Sequence, residues 1–146
     1  MKKKGSGHII NVTSIGGLIP GEMTEMYNAA KYGLTGFSES LALTAGHFGV
    51  NVSVVCPGPM DTPALWNSLV RDYPRDVCDE KTQKLAEEKI SQIDELKHIV
   101  DKIVKPSKAA ELVVANVVDN KNAELFYVMN FGFLQDRLEA KYKNLV

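Results

Sequence analysis

The chain has 146 residues, of which 45% are hydrophobic and 24% are charged, and its 17 basic and 18 acidic side chains give a formal net charge of -1. A chain of this length can bury a core of its own, which excludes a disordered chain, a collagen and a small disulfide-stapled scaffold. A net charge near zero argues against a nucleic-acid partner, so we expect a small-molecule or protein partner.

The first half of the sequence predicts a strand, a helix and a second strand. Residues 8–13 and 50–56 are short runs rich in Ile and Val without alternation, which is typical of strands covered on both faces. Residues 27–48 carry apolar side chains at steps of three and four, which predicts a helix with one apolar stripe. The stripe comprises Ala30, Leu34, Phe37, Leu41, Ala45 and Phe48. Such a unit joins parallel strands through a right-handed crossover, so the predicted fold class is α/β.

The second half of the sequence predicts further helices and one more strand. Pro57-Gly58-Pro59 ends the second strand, since proline has no amide to donate to the ladder. Residues 60–105 predict a mobile excursion that contains an amphipathic helix over 90–103. A further helix is expected from Pro106, with Ser107 as its cap, followed by a third strand at 125–131. We therefore predict a single domain over 1–146.

The cysteine and histidine positions favour no metal or redox site. Cys56 and Cys78 lie too far apart for a CxxC pair, and the three histidines lack metal-ligand spacing, so we predict reduced thiols and no metal. The longest apolar run near the carboxyl terminus, 125–134, is well short of the ~20 residues that span a bilayer. We expect an intracellular protein.

Tyr27 and Lys31 form the first candidate for chemistry. They lie four positions apart at the start of the predicted helix, a spacing that places two side chains on one face. An ammonium beside a phenol favours the phenolate, so Tyr27 could exchange a proton nearer neutral pH. A surface tyrosine beside a solvated lysine gives the same spacing, so the pair alone does not establish a site.

Ser14 is the second candidate, at the carboxyl end of the first predicted strand and thirteen positions before Tyr27. Ligands of doubly wound sheets collect in the crevice outside these strand ends, where Ser14 could hydrogen-bond a substrate oxygen. The alternative is a serine that only caps a turn. The Pro57-Gly58-Pro59 turn lies at the corresponding end of the second strand, so three features converge on one edge.

These motifs resemble the consecutive signatures of the short-chain dehydrogenase/reductase family. The resemblance rests on Asn11-Val12-Thr13-Ser14, Tyr27-Asn28-Ala29-Ala30-Lys31 and Pro57-Gly58-Pro59-Met60-Asp61-Thr62, in the family's order and spacing, and covers about 7–131. It implies the carboxyl-terminal half of a doubly wound parallel, Rossmann-like sheet. It also implies an NAD- or NADP-dependent enzyme that moves a hydride to or from a carbonyl or secondary alcohol carbon.

The resemblance assigns a role to each motif. Ser14 would orient the substrate oxygen, Tyr27 would be the acid and base, and Lys31 would favour its ionised form and hold the nicotinamide ribose. The cofactor side would comprise Tyr27, Lys31, Pro57, Gly58, Met60 and Thr62. The substrate wall would comprise Ser14, Ile15, Met23, Met60, Leu65 and Trp66. Residues 60–105 would then form a substrate lid.

The sequence departs from the family at its amino-terminal side. No G-x-G-x-x-G phosphate loop is present in the chain, and the family's relay asparagine is also absent. We therefore expect the 146-residue chain to bind NAD(P) poorly, because the adenosine half of the cofactor has no site. We also expect instability or association, as a homo-oligomer through the 27–48 helix, because the first strand keeps an open edge.

The branch within the family stays open. Val54-Val55-Cys56-Pro57-Gly58-Pro59 and 106–112 resemble the dehydrogenase/reductase family member 7 branch, which implies association with the endoplasmic reticulum instead of the cytoplasm. The Gly16-Gly17-Leu18-Ile19-Pro20 loop resembles the 15-hydroxyprostaglandin dehydrogenase branch. Both imply an apolar substrate such as a steroid, retinoid or prostaglandin. The alternative function is an inactive fragment that acts as an interaction or oligomerisation module.

Overall fold

The computed structural model describes residues 1–66, 75–95, 105–118 and 126–129. Its centre is a parallel sheet of β1 (Gly7–Val12), β2 (Val50–Pro57) and β3 (Phe126–Met129), in the order β1-β2-β3. Helix α1 (Glu25–Gly46) connects the first two strands. The α/β class and the predicted parallel pairing of two strands joined by a helix are confirmed.

The register of the sheet brings the carboxyl ends of β1 and β2 side by side. Pairing runs from Gly7 opposite Val50 to Val12 opposite Val55, and the Thr13 amide extends it by donating to the Val55 carbonyl at 2.8 Å. β2 is central, and its last apolar residues are fully buried. The residues that follow each strand therefore emerge at a common edge, where ligands of such sheets bind.

Helix α1 packs on one face of the sheet. Ala45 is buried with Val50 and Val52, and Leu41, Ala42 and Ile9 are the partly buried apolar side chains around them. The helix ends at Gly46, and in the turn that follows Gly49 has φ 64, a left-handed conformation that favours glycine and lets its backbone approach the carbonyl of Gly5. This turn directs the chain straight into β2.

The predicted apolar stripe of α1 is wrong in part. Phe37 is 57% exposed and Ala30 is also exposed, whereas Asn28, Thr35 and Ser38 are buried. The side facing the sheet makes close polar contacts, such as the 2.8 Å hydrogen bond from Asn11 Nδ2 to Ser38 Oγ, which suit small polar side chains. The large apolar side chains lie on the outer face instead: Met26, Phe37 and Leu43.

In the described part of the chain after β2, the structure has the α-helices α2 (Pro63–Trp66), α3 (Glu80–Glu95) and α4 (Pro106–Val113). Helix α3 begins ten residues before the predicted amphipathic helix, of which 96–103 lie outside the described residues. Ser107 is not the cap of α4, because proline occupies the first turn and Lys105 precedes it as the cap residue. No helix within the described ranges is both long and apolar enough to cross a membrane.

Thr35 provides a test of the contact between α1 and the loop after β1. Its Oγ1 is buried without a hydrogen-bond partner within the described structure. We expect Thr35→Val to raise the free energy of unfolding by about 1 kcal/mol, because valine has the same shape without the desolvated hydroxyl. Urea denaturation measures the change. Thr44→Val, at an exposed position of the same helix, is the control, and its free energy of unfolding should not rise. A loss of stability at Thr35→Val would show that the hydroxyl is satisfied.

Candidate active site

Ser14 begins the short connection between β1 and α1. Its backbone is extended, and its Oγ accepts a hydrogen bond from the Gly16 amide at 3.1 Å, which caps the 3-10 turn Ile15–Gly17. The capping role considered from the sequence is therefore present. It uses an acceptor site of the hydroxyl and leaves the O–H hydrogen free to donate to another group.

Tyr27 and Lys31 lie in the first two turns of α1. The Lys31 Nζ is 5.7 Å from the centroid of the Tyr27 ring, within the range of a cation–π contact. Tyr27 is 37% exposed and Lys31 is half-buried, so both side chains can reach solvent or a ligand. The predicted pair therefore shares one face of the helix.

Gly16 and Gly17 bring the Ser14 segment against this helix. A Cβ placed on Gly16 would lie 3.0 Å from Tyr27 Cε1 and 3.1 Å from Asn28 Oδ1. A Cβ on Gly17 would lie 2.8 Å from the Lys31 carbonyl oxygen. The loop and the start of α1 are in contact because both positions lack a side chain. Ser14, Tyr27 and Lys31 are consequently held on touching segments.

Two residues missed by the sequence analysis as site residues fasten this loop to α1. Asn28 Nδ2 donates to the Gly21 carbonyl at 2.9 Å, and it also bonds Thr24 Oγ1 at 3.0 Å. Tyr32 OH donates to the Leu18 carbonyl at 2.6 Å. Both lie within or next to the Tyr27-Asn28-Ala29-Ala30-Lys31 motif, so the motif itself was the available signal.

Thr13, which precedes Ser14, contacts Cys56 of β2 and so joins the end of β1 to the neighbouring strand. Thr13 Oγ1 and Cys56 Sγ are 3.1 Å apart, within hydrogen-bond distance, and both residues are buried. Burial raises the pKa of the Cys56 thiol above its ordinary value, and the contact with Thr13 lowers it by less. Within the described residues, Cys56 forms no disulfide. Cys56 is thus a packed, neutral thiol in the buried cluster with Leu18, Ile19 and Val54.

The turn after β2 lies at the same edge of the sheet as Ser14, because β2 pairs with β1. Pro57 is buried, and Gly58, Met60 and Thr62 are half-buried. The Thr62 Oγ1 accepts from the Leu65 amide at 3.3 Å at the start of α2. The predicted cofactor residues of this turn therefore follow the strand adjacent to Ser14, and their contact with a cofactor stays a prediction.

Helix α3 packs against the loop that precedes Tyr27. Met23 has φ 59 and is 7% exposed, and its side chain is buried with Ala86 of α3. Lys89 forms a 2.6 Å ion pair with Glu22 beside this contact. At the other end, Asp79 caps α3 by accepting from the Thr82 amide, which lowers the pKa of Asp79. The segment predicted as a lid thus contains a helix that packs on the loop before Tyr27.

The residues predicted as a substrate wall occupy different environments. Ile15 packs against the buried cluster of Leu18, Ile19, Val54 and Cys56. Met23 faces α3, whereas Met60, Leu65 and Trp66 are half-buried beyond β2. Burial of Met23 under α3 could not be predicted from sequence spacing, because α3 lies more than fifty residues later. Their contact with a substrate stays a prediction.

Comparison with known proteins places this site in a family. The family model described as short chain dehydrogenase matches residues 1–72. A levodione reductase of Leifsonia aquatica is 29% identical over 81% of the chain and 45% of its own length. A 15-hydroxyprostaglandin dehydrogenase [NAD(+)] of Mus musculus is 44% identical over 40% of the chain and 23% of its own length. These matches do not specifically support the dehydrogenase/reductase family member 7 branch, so that finer assignment stays a prediction.

Solved structures share the fold. The crystal structure of a short-chain dehydrogenase/reductase from Burkholderia phymatum in complex with NAD has a TM-score of 0.66 and 20% identity, and covers 99% of this chain and 51% of that one. The parallel sheet with flanking helices therefore belongs to the Rossmann-like class. The chain belongs to the short-chain dehydrogenase/reductase family. It spans about half, or less, of the length of the relatives it matches.

Proposed function

We propose that the chain carries the catalytic groups of an NAD(P)-dependent oxidoreductase that interconverts a carbonyl and a secondary alcohol on an apolar substrate. The observation that supports this most directly is the packing of the Ser14 turn on Tyr27 through Gly16. It holds a hydroxyl donor and a phenol on touching segments at the edge where parallel strands end.

In the reduction direction, the chain's own groups act on the carbonyl oxygen. Ser14 donates its free O–H to that oxygen, and Tyr27 transfers its phenolic proton to it as negative charge develops. The Lys31 ammonium beside the ring stabilises the phenolate left behind, which then regains a proton from solvent. Bound NAD(P)H supplies the hydride that the carbonyl carbon receives.

The hydrogen-bonding groups of this site suit the nicotinamide half of the cofactor. A phenol and an ammonium on the same helix face can hydrogen-bond ribose hydroxyls, and the half-buried turn of Gly58, Met60 and Thr62 lies at the adjoining strand end. The 146-residue sequence has no glycine-rich phosphate loop for the adenosine half. The residues of this chain are therefore fitted to the nicotinamide ribose side.

A second candidate function is an interaction or oligomerisation module. The outer face of α1 exposes Met26 by 82%, Phe37 by 57% and Leu43 by 78%. Apolar side chains exposed together along one element mark contact surfaces. This face could pair with a second copy of the chain or with a full-length relative, with or without catalysis.

The proposed function is tested by comparing reduced nicotinamide mononucleotide with NADH as reductants of cyclohexanone. If the chain holds only the nicotinamide half, the two should give rates within about twofold of each other at millimolar concentration. Absorbance at 340 nm measures the rate, and calorimetry should find no sub-millimolar NAD(P) binding. Absence of turnover with both reductants would favour the interaction module, whereas tight NAD(P) binding would contradict the half-site.

A further inference from the structure

Trp66 is the only tryptophan of the chain, and its indole is held by a specific bond. The Nε1–H donates to Asp61 Oδ1 at 2.8 Å. Both residues are half-buried. A hydrogen bond to a carboxylate is short and strong, and a buried or half-buried indole N–H normally has one partner. The bond therefore restricts the indole to one orientation.

The backbone between these residues makes them one unit. The amides of Leu65 and Trp66 both donate to the Thr62 carbonyl, at 3.0 and 3.3 Å, and Thr62 Oγ1 caps the same turn. The described turn of α2, Pro63–Trp66, is thus anchored directly on the residues that follow β2. Asp61 and Trp66 are fixed at both the backbone and the side-chain level.

This unit lies at the same edge of the sheet as the candidate catalytic groups. Asp61 comes four residues after Pro57, the end of the strand that pairs with the Ser14 strand. Helix α2 contacts α3, and α3 buries Ala86 against Met23 in the loop before Tyr27. The Trp66 turn and the Tyr27 loop are therefore connected through α3 at the edge where the strands end, and sheets of this kind bind ligands in a crevice outside that edge.

We propose that Asp61 is a positioning residue that fixes the indole of Trp66 at the rim of this crevice, and that it thereby sets the preference for bulky apolar substrates. The inference deepens the proposed function and rests on it. An aromatic face held in place at the entrance favours apolar ligands large enough to touch it. A small ketone that does not reach the indole would be unaffected by Asp61.

Two variants of Asp61 separate positioning from a structural role. Asp61→Ala removes the acceptor, whereas Asp61→Asn keeps an oxygen at the same position and should restore the behaviour of the parent chain. Because Trp66 is the only tryptophan, its fluorescence reports directly on the indole. Acrylamide should quench the Trp66 fluorescence more strongly in Asp61→Ala than in the parent chain, because the indole becomes more accessible. In Asp61→Asn the quenching should not change. Unchanged quenching in Asp61→Ala would overturn the positioning role.

Binding is measured independently of turnover by titrating cyclohexanol and following the Trp66 emission. The parent chain and Asp61→Asn should show a saturable response, and Asp61→Ala should bind about fivefold more weakly. No response in the parent chain would overturn the rim position of Trp66, whether or not the protein is active. A saturable response without any ketone reduction would instead overturn the proposed function alone.

The kinetic pattern gives the final discrimination. In Asp61→Ala, KM for cyclohexanone should rise about fivefold with kcat unchanged, and KM for acetone should stay within about twofold. An equal change for both ketones would indicate a general loss of structure and would contradict a role in substrate preference. Circular dichroism of each variant confirms that it has folded.

Discussion

Replacement of Tyr27 by phenylalanine is expected to lower kcat for ketone reduction by about 1,000-fold. The substitution removes the proton that the phenol transfers and leaves the ring beside Gly16 and Lys31. Tyr27 is 37% exposed, so the free energy of unfolding should change by less than about 0.5 kcal/mol. Initial rates at 340 nm and urea denaturation measure the two effects.

Tyr32→Phe is the matched control for this prediction, because it removes the same atom five residues further along the helix. Its hydroxyl donates to the Leu18 carbonyl at 2.6 Å, so its loss should cost about 1 kcal/mol of stability. The kcat of Tyr32→Phe should stay within about tenfold of the parent chain, since Tyr32 transfers no proton. The opposite pattern, with Tyr27→Phe active and Tyr32→Phe inactive, would remove Tyr27 from the proposed chemistry.

Tyr27→Phe and a substitution of Leu43 together address the interaction module. If α1 pairs through its outer apolar face, sedimentation should show the same association for Tyr27→Phe as for the parent chain. A substitution of exposed Leu43 by serine should weaken that association and leave turnover per folded chain in place. Joint loss of association and activity would show that the two candidate functions depend on each other.

The strands, the crossover helix and the order of the motifs could be predicted from the sequence because each depends on local signals. The Val-rich run 50–56, followed by proline, predicts a buried strand, and the structure has β2 at Val50–Pro57, one residue longer. The buried face of α1 could not be predicted in this way. Thr35 and Ser38 are buried because Gly17 and Asn11, which are distant in sequence, approach the helix too closely for large side chains.

The environment of the candidate site also depends on distant segments. Sequence spacing put Ser14, Tyr27 and Lys31 on one sheet edge, but it could not show that Asn28 and Tyr32 fasten the intervening loop. The acceptors of these bonds are backbone carbonyls. Every residue has one, so no residue type in the sequence indicates which carbonyl accepts. The burial of Met23 by α3 is likewise a tertiary contact between separate elements.

Gly17→Ala is expected to have the second largest effect on kcat. The substitution acts on the contact between α1 and the loop after β1, which the bonds of Asn28 and Tyr32 reinforce. The added Cβ would lie 2.8 Å from the Lys31 carbonyl oxygen and 2.8 Å from Thr35 Oγ1. Backbone cannot yield as a flexible side chain can, so the loop and α1 must separate, at a cost of about 2 to 3 kcal/mol. Because Ser14 and Tyr27 lie on these segments, kcat should also fall by about 100-fold.

Two other glycines make this prediction specific. Gly33→Ala on the exposed side of α1 meets nothing within 4 Å, so it should raise the free energy of unfolding by up to about 1 kcal/mol. Gly16→Ala contacts the Tyr27 side chain at 3.0 Å, so it should lower kcat more than stability, because the ring can turn aside. Urea denaturation and initial rates distinguish the three variants. If Gly17→Ala matched Gly33→Ala in both measurements, the loop could not be packed on α1, and the shared position of Ser14 and Tyr27 would lose its physical basis.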